Sequence, residues 1–316
     1  MKIESEPLTE GLFGQVFVWM LEVLPYLSSI GAKPSWCIRT KNYGSPPDDN
    51  IFPGILRLKY EPAEPNGETV SFEDLKRSQM YPYQNDFALA NKMWNSFFSF
   101  TDDVLERSEQ FCRQHFKGET VLGVHYRGTD KNTDGSQTNP VTAEEFLLVL
   151  MDFLSAHPEI TTIFVASDEA AFVENIARLR KIVQVPQARS GDGSPLWNHH
   201  SPEQNQNVAK DAILDCLLLS RCEYVLKNMS ALSAWSKIFN PGLKAFSIAA
   251  SKKPWFPVGY IPPYVGANPF VRTILERIQK DSFKPSLNAA EMDASMATTA
   301  GQPYDADETM LVTTPT

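Results

Sequence analysis

The spacing of apolar positions changes near residue 120. Before it, the longest apolar stretch is 12–27, which contains Gln15, Glu22 and Pro25 and predicts an amphipathic helix inside a first domain. Gly11-Leu12-Phe13-Gly14-Gln15 opens it, although the G-x-G-x-x-G spacing is missing and no strand precedes it. Residues 36–40 read as a short strand. Residues 42–65 hold Pro46, Pro47, Pro53, Pro62 and Pro65 among Asn and Asp, a composition that predicts loop. A helix is expected at 101–116, with Thr101 as its N-cap and Asp102 and Asp103 in its first turn.

From 121 onward short apolar runs alternate with helical patterns. Strands are expected at 121–126, 161–166, 181–185, 223–226 and 244–248, and helices at 142–156, 169–180, 207–220 and 231–239. Thr142 and Glu145 form a capping-box signature at one helix start. This alternation predicts a parallel sheet with helices on both faces. A last helix is expected at 270–280, and the polar, Ala- and Thr-rich remainder reads as a disordered tail. The pattern divides the chain into domains at 1–105 and 106–282 and a tail at 283–316.

Composition narrows the function classes. The chain has 316 residues, 42% hydrophobic and 21% charged, with a net charge of -9. An acidic protein of this kind is a poor partner for nucleic acid or an anionic membrane, yet a nucleotide site needs only local cations. The four cysteines, Cys37, Cys112, Cys216 and Cys222, form no C-x-x-C pair and have no metal spacing with His, and read as free thiols in a reducing compartment. Residues 12–27 are too few to span a bilayer. They follow Glu4, Glu6 and Glu10, the wrong charge for a signal peptide.

The chemistry concentrates in His125-Tyr126-Arg127-Gly128-Thr129-Asp130-Lys131, which follows Val121-Leu122-Gly123-Val124 directly. Ligands of open α/β sheets bind outside the carboxyl ends of the strands. Arg127 can grip phosphate oxygens bidentately and Lys131 adds a point charge, so the pair suits a diphosphate. At the next strand end, Asp168 can hold the Arg127 guanidinium or a ribose hydroxyl, or cap the following helix. Asp215 lies amid the apolar residues of helix 207–220, where a carboxylate needs a partner. Asp211, one turn earlier, could take the same role. Ser230 precedes helix 231–239, whose free N–H groups and dipole make an anion site. Asn228-Met229-Ser230 is also a formal glycosylation sequon, taken as a chance match.

The heptapeptide resembles the His-x-Arg-x-x-Asp-Lys signature of the α1,6-fucosyltransferases, the group of rhizobial nodulation and animal core enzymes. The resemblance runs from Val121 to about Phe246. It implies a GT-B-like α/β fold of two Rossmann-like domains: an acceptor-side domain at 1–105, and at 106–282 a parallel sheet binding the nucleotide sugar. It implies transfer of fucose from GDP-fucose to an oligosaccharide or glycoconjugate, with inversion and without a metal. His125, Arg127, Asp130, Asp168, Asp215 and Ser230 would bind the donor. Asp215 would accept both donor groups of guanine, with His125 beside it, and Ser230 would meet the β-phosphate. Arg127 and Lys131 would stabilise the departing GDP. The family's acidic residue after its Asp-Lys falls one position away from Asp134 here; Asp134 and the His199-His200 pair are the base candidates. The sole Asp-x-Asp pattern is Asp305-Ala306-Asp307, in the expected tail, so no carboxylate pair seats a divalent ion. No amino-terminal anchor of the animal type is read, which favours a cytoplasmic enzyme like the bacterial branch. A GDP-sugar-binding protein without turnover is the alternative.

Overall fold

The computed structural model describes residues 1–5, 11–40, 42–43, 50–63, 69–71, 74–75, 83, 86–129, 139–191, 202–249, 251 and 256–282. In chain order the strands are β1 (Lys2–Glu4), β2 (Ser35–Cys37), β3 (Leu56–Leu58), β4 (Thr69–Ser71), β5 (Phe98–Phe100), β6 (Val121–Tyr126), β7 (Thr162–Ser167), β8 (Ile182–Val183), β9 (Tyr224–Lys227) and β10 (Lys244–Ser247). The helices are α1 (Phe17–Ser29), α2 (Phe52–Ile55), α3 (Phe87–Phe97), α4 (Asp102–His115), α5 (Ala143–Ala156), α6 (Ala170–Ala177), α7 (Pro202–Ser220), α8 (Ala231–Phe239) and α9 (Pro269–Ile278).

Five strands make one parallel sheet in the order β10-β9-β6-β7-β8. Its alternate residues serve two hydrophobic layers. Val121 and Val225 join one with α1, α3, α4, α7 and α8; Leu122, Val124 and Leu226 join the other with α5, α6 and α9. Both faces are covered, so the central strands carry no solvent-facing polar alternation. Thr142 and Glu145 form the expected capping box at the start of α5.

The first hundred residues depart further from the pattern. β1 is the centre of a small parallel sheet in the order β2-β1-β4, and β3 pairs antiparallel with β5. The expected loop at 42–65 therefore contains α2 and β3. Pro53 sits in the first turn of α2, where its fixed φ suits a helix start, and Leu56-Arg57-Leu58 finds its ladder only in the distant Phe98-Ser99-Phe100. Strands of three residues give too little alternation to be read locally. α7 begins at Pro202, five residues before the expected start at 207, for the same reason: proline at the first helical position, then a polar turn.

The helical segment Leu12–Ser29 is 18 residues long and apolar enough by composition to cross a bilayer, which the shorter reading 12–27 did not allow; 61% of it is buried inside the protein. Phe17 packs between the rings of Trp94 and Trp235, at centroid distances of 5.0 and 5.5 Å, and Trp235 donates its indole N–H to the Phe13 carbonyl at 2.9 Å. The amino-terminal segment and α8 thus share one core. By contacts, Met1–Phe283 is one compact unit.

Candidate active site

The carboxyl ends of β6 and β7, helix α7 and residues 187–188 enclose a cavity that Tyr43 also reaches. β6 delivers His125 and Arg127 to it because the strand is buried throughout and its polar residues are held to its end. His125 is 5% exposed and its Nδ1 has no hydrogen-bond partner among the described residues. Burial first, then the Lys227 and Arg127 charges, hold its pKa well below 6.5, so the imidazole is neutral at pH 7.

The backbone of Arg127 is fixed from the neighbouring strand. Asn228 accepts from the Arg127 N–H at 3.0 Å and donates to the Arg127 carbonyl at 2.8 Å. These side-chain bonds hold the two strands together just beyond their last paired positions, His125 and Lys227, with Arg127 two residues and Asn228 one residue further on. The same bonds answer the sequon. Asn228 is buried and its Nδ2 is engaged, so the folded chain does not present that nitrogen to a glycosylating enzyme.

Asp168 lines the cavity from the end of β7. Its carboxylate accepts from the Gly128 N–H at 3.3 Å and the Thr129 hydroxyl at 2.7 Å, and so shapes the turn that carries Arg127. Asp168 does not cap α6: the N-cap position is Glu169, whose side chain makes no capping bond. Gly128 keeps that turn free of a clash: a Cβ there would meet the Glu169 carboxylate and the Tyr126 ring, and one of them would have to shift.

Asp215 projects from α7 and is 5% exposed. One oxygen accepts from Gln187 Nε2 at 2.7 Å; among the described residues the other, Oδ1, has no hydrogen-bond partner, nor does Gln187 Oε1. Burial raises the Asp215 pKa to about 7, against the opposing Gln187 bond and Arg189 charge. Arg189 staples the Gln187 segment by donating to the Gln187 and Val185 carbonyls at 3.3 and 3.1 Å. Ser190 then joins the end of β7 through its N–H to the Asp168 carbonyl at 2.7 Å. Asp211 also lines the cavity, but its carboxylate pairs with Arg107 of α4 at 2.7 Å, which ties α7 down.

Ser230 is the N-cap of α8, as its position predicts; its side chain makes no capping bond, and Leu232 from the helix's first turn lines the cavity. His125, Arg127, Asp168 and Asp215 therefore meet at one cavity. Asp130, Lys131, Asp134, His199, His200, Asp305 and Asp307 lie outside the described residues. Among the described residues no group of three or more His, Cys, Asp or Glu side chains is assembled for a metal ion. Sequence reasoning missed Gln187, Lys227 and Asn228. Gln187 stood in a polar loop without a motif, and β9 was expected to end one residue early, which left Lys227 and Asn228 outside the sheet.

No protein-family model matches the sequence, and no curated protein matches it in sequence. Solved structures do match. The α-1,6-fucosyltransferase NodZ soaked with GDP-fucose aligns at a TM-score of 0.53 and 15% identity, over 76% of this chain and 93% of that one. NodZ co-crystallised with GDP aligns at 0.50 and 17%, over the same shares. The selenomethionine form of NodZ from Bradyrhizobium aligns at 0.50 and 15%, over 76% and 92%. The chain has the α/β, GT-B-like fold of these fucosyltransferases.

Proposed function

We propose that this chain is a glycosyltransferase that moves fucose from GDP-fucose to a glycan hydroxyl, inverting the anomeric centre without a metal ion. The observation that carries the reading is the buried Asp215 oxygen, unpartnered among the described residues, on a cavity that His125 and Arg127 also line. Guanine presents an N1–H and an exocyclic amine side by side, and a carboxylate accepts both; adenine and uracil do not offer that pair. NodZ, whose fold this chain shares, was solved with GDP and GDP-fucose.

In this reading Arg127 and Lys131 hold the diphosphate, with the α8 N-terminus and Ser230 at its far end. Asp168 and Asp130 keep the Arg127 turn in place or meet the ribose. The acceptor oxygen attacks the fucose C1 from the face opposite the diphosphate. The C1–O bond breaks, and its electron pair leaves on the β-phosphate oxygen of GDP. The acceptor proton passes to a base, for which Asp134 is the candidate. Cations facing the growing negative charge on GDP supply the stabilisation a metal would otherwise give. Residues 1–105 form the acceptor side and 106–282 the donor side. The four free thiols, three of them buried, suit a reducing, cytoplasmic setting.

Titration calorimetry in EDTA with GDP, GDP-fucose, GDP-mannose and UDP tests the donor site. Binding of GDP and GDP-fucose, with none of UDP, is expected. Absence of any guanine-nucleotide binding removes the reading. Arg127→Ala should abolish donor use in a folded protein. Binding without turnover across a glycan panel would favour a GDP-sugar-binding protein.

A further inference from the structure

Lys227 has no part in that scheme. It ends β9 at 0% exposure, and its Nζ has no hydrogen-bond partner among the described residues. Lysine side chains ordinarily carry their ammonium out to water, and an unpaired buried charge is costly to the fold. Such a cost is retained where something other than the fold uses the charge.

The surroundings say what uses it. Lys227 stands opposite His125 in the parallel β6–β9 register. The odd-numbered residues Val121 and Val225 of these strands enter the same hydrophobic layer, so His125 and Lys227 project from the same sheet face. His125 lines the cavity with its Nδ1 unpartnered. Asn228, the next residue, fixes Arg127. Two residues further on, the N-cap Ser230 leaves α8 without a side-chain cap. An ammonium, a guanidinium, an unpartnered imidazole nitrogen and uncapped helix N–H groups thus gather at the carboxyl ends of β6 and β9. Of the three carboxylates on the cavity, Asp168 is engaged by Gly128 and Thr129, Asp211 by Arg107, and Asp215 by Gln187 through one oxygen, so none of them is paired with Lys227.

We infer that Lys227 is the interior countercharge for the phosphate-bearing ligand of this site, left unpaired by the fold so that the ligand supplies its anion. The inference rests on the proposed donor site for the ligand's diphosphate. Lys227 does not touch the cavity itself; it acts through the low-dielectric layer it shares with His125. Burial brings its pKa to about 7, and an arriving anion favours the ammonium form.

Lys227→Met in the full chain keeps the length of the side chain and removes its charge. Two readouts go together: melting temperature without ligand, and titration with GDP, guanosine and inorganic pyrophosphate. The variant should melt higher than the parent, which a merely structural lysine would not allow. It should bind GDP and pyrophosphate about ten- to a hundredfold more weakly and guanosine equally well. Lys227→Leu serves the same comparison should the methionine variant fail to fold. Unchanged affinity for both anions overturns the inference, and so does an equal loss of guanosine, which marks a collapsed site. A parent that binds pyrophosphate but no guanine compound sinks the GDP reading and leaves Lys227 standing. A parent that binds no phosphate at all ends both.

Discussion

Asp215 and Lys227 are both pushed toward neutrality by burial, one from below and one from above, and each to about 7. The sign of the consequence follows for Asp215. Its folded pKa lies above the ordinary 3.8, so the stability it contributes is full below 3.8 and is lost as pH rises through about 7. Asp215→Asn should therefore be more stable than the parent at pH 8, by roughly 1–4 kcal/mol, with the gap closing toward pH 4. Urea denaturation at the two pH values measures it; an equal gap at both would contradict the shift. In the proposed donor site guanine needs the ionised carboxylate, so GDP affinity in the parent should fall below pH 7. Asn228 is the other residue with a separable effect. Asn228→Ala removes the two bonds that Asn228 makes to the N–H and carbonyl of Arg127, at a cost of about 1–3 kcal/mol. Both melting temperature and GDP affinity should drop; a variant that loses stability alone would show that Arg127 does not depend on the clamp.

Two turns bring the site's elements to one point. The β6 turn runs through Gly128, where the Glu169 carboxylate and the Tyr126 ring leave no room for a methyl. Gly128→Ala should destabilise by roughly 1–3 kcal/mol, and adding Glu169→Ala should recover part of that loss. Additive losses in the double variant would place the strain elsewhere. The second is the 185–190 segment, which Arg189 and the Ser190 bond lay along the end of β7 so that Gln187 meets Asp215. Neither turn has a regular period, and their shape is decided by partners 28 to 101 residues away, Asp215 for one and Asp168 and Asn228 for the other.

One aromatic layer joins the amino-terminal helices α1 and α3 to α8. Trp235 of α8 sits 5.0 Å from Trp94 and 5.5 Å from Phe17, and bonds to the Phe13 carbonyl. Trp235→Ala should cost about 3–5 kcal/mol, as large core truncations do. Because the layer belongs to both halves, unfolding followed by circular dichroism and by fluorescence should stay coincident. Two separate transitions would instead mark independent units.

The sequence by itself determined the five-stranded parallel sheet and its helices. Most strands there are short apolar runs, and the start of α5 carries its own signal in Thr142 and Glu145. It also marked His125, Arg127, Asp168, Asp215 and Ser230, because each stands at a strand or helix end or interrupts an apolar face. Only the tertiary structure decided the rest. β3 has no strand character until β5 lies beside it, and three-residue strands carry too little pattern to stand alone. Asn228 reads as a sequon until its amide closes on Arg127. Lys227 reads as a polar strand end until burial on every side removes its water. These roles arise from pairings across long sequence separations, and such pairings leave no local period in the chain.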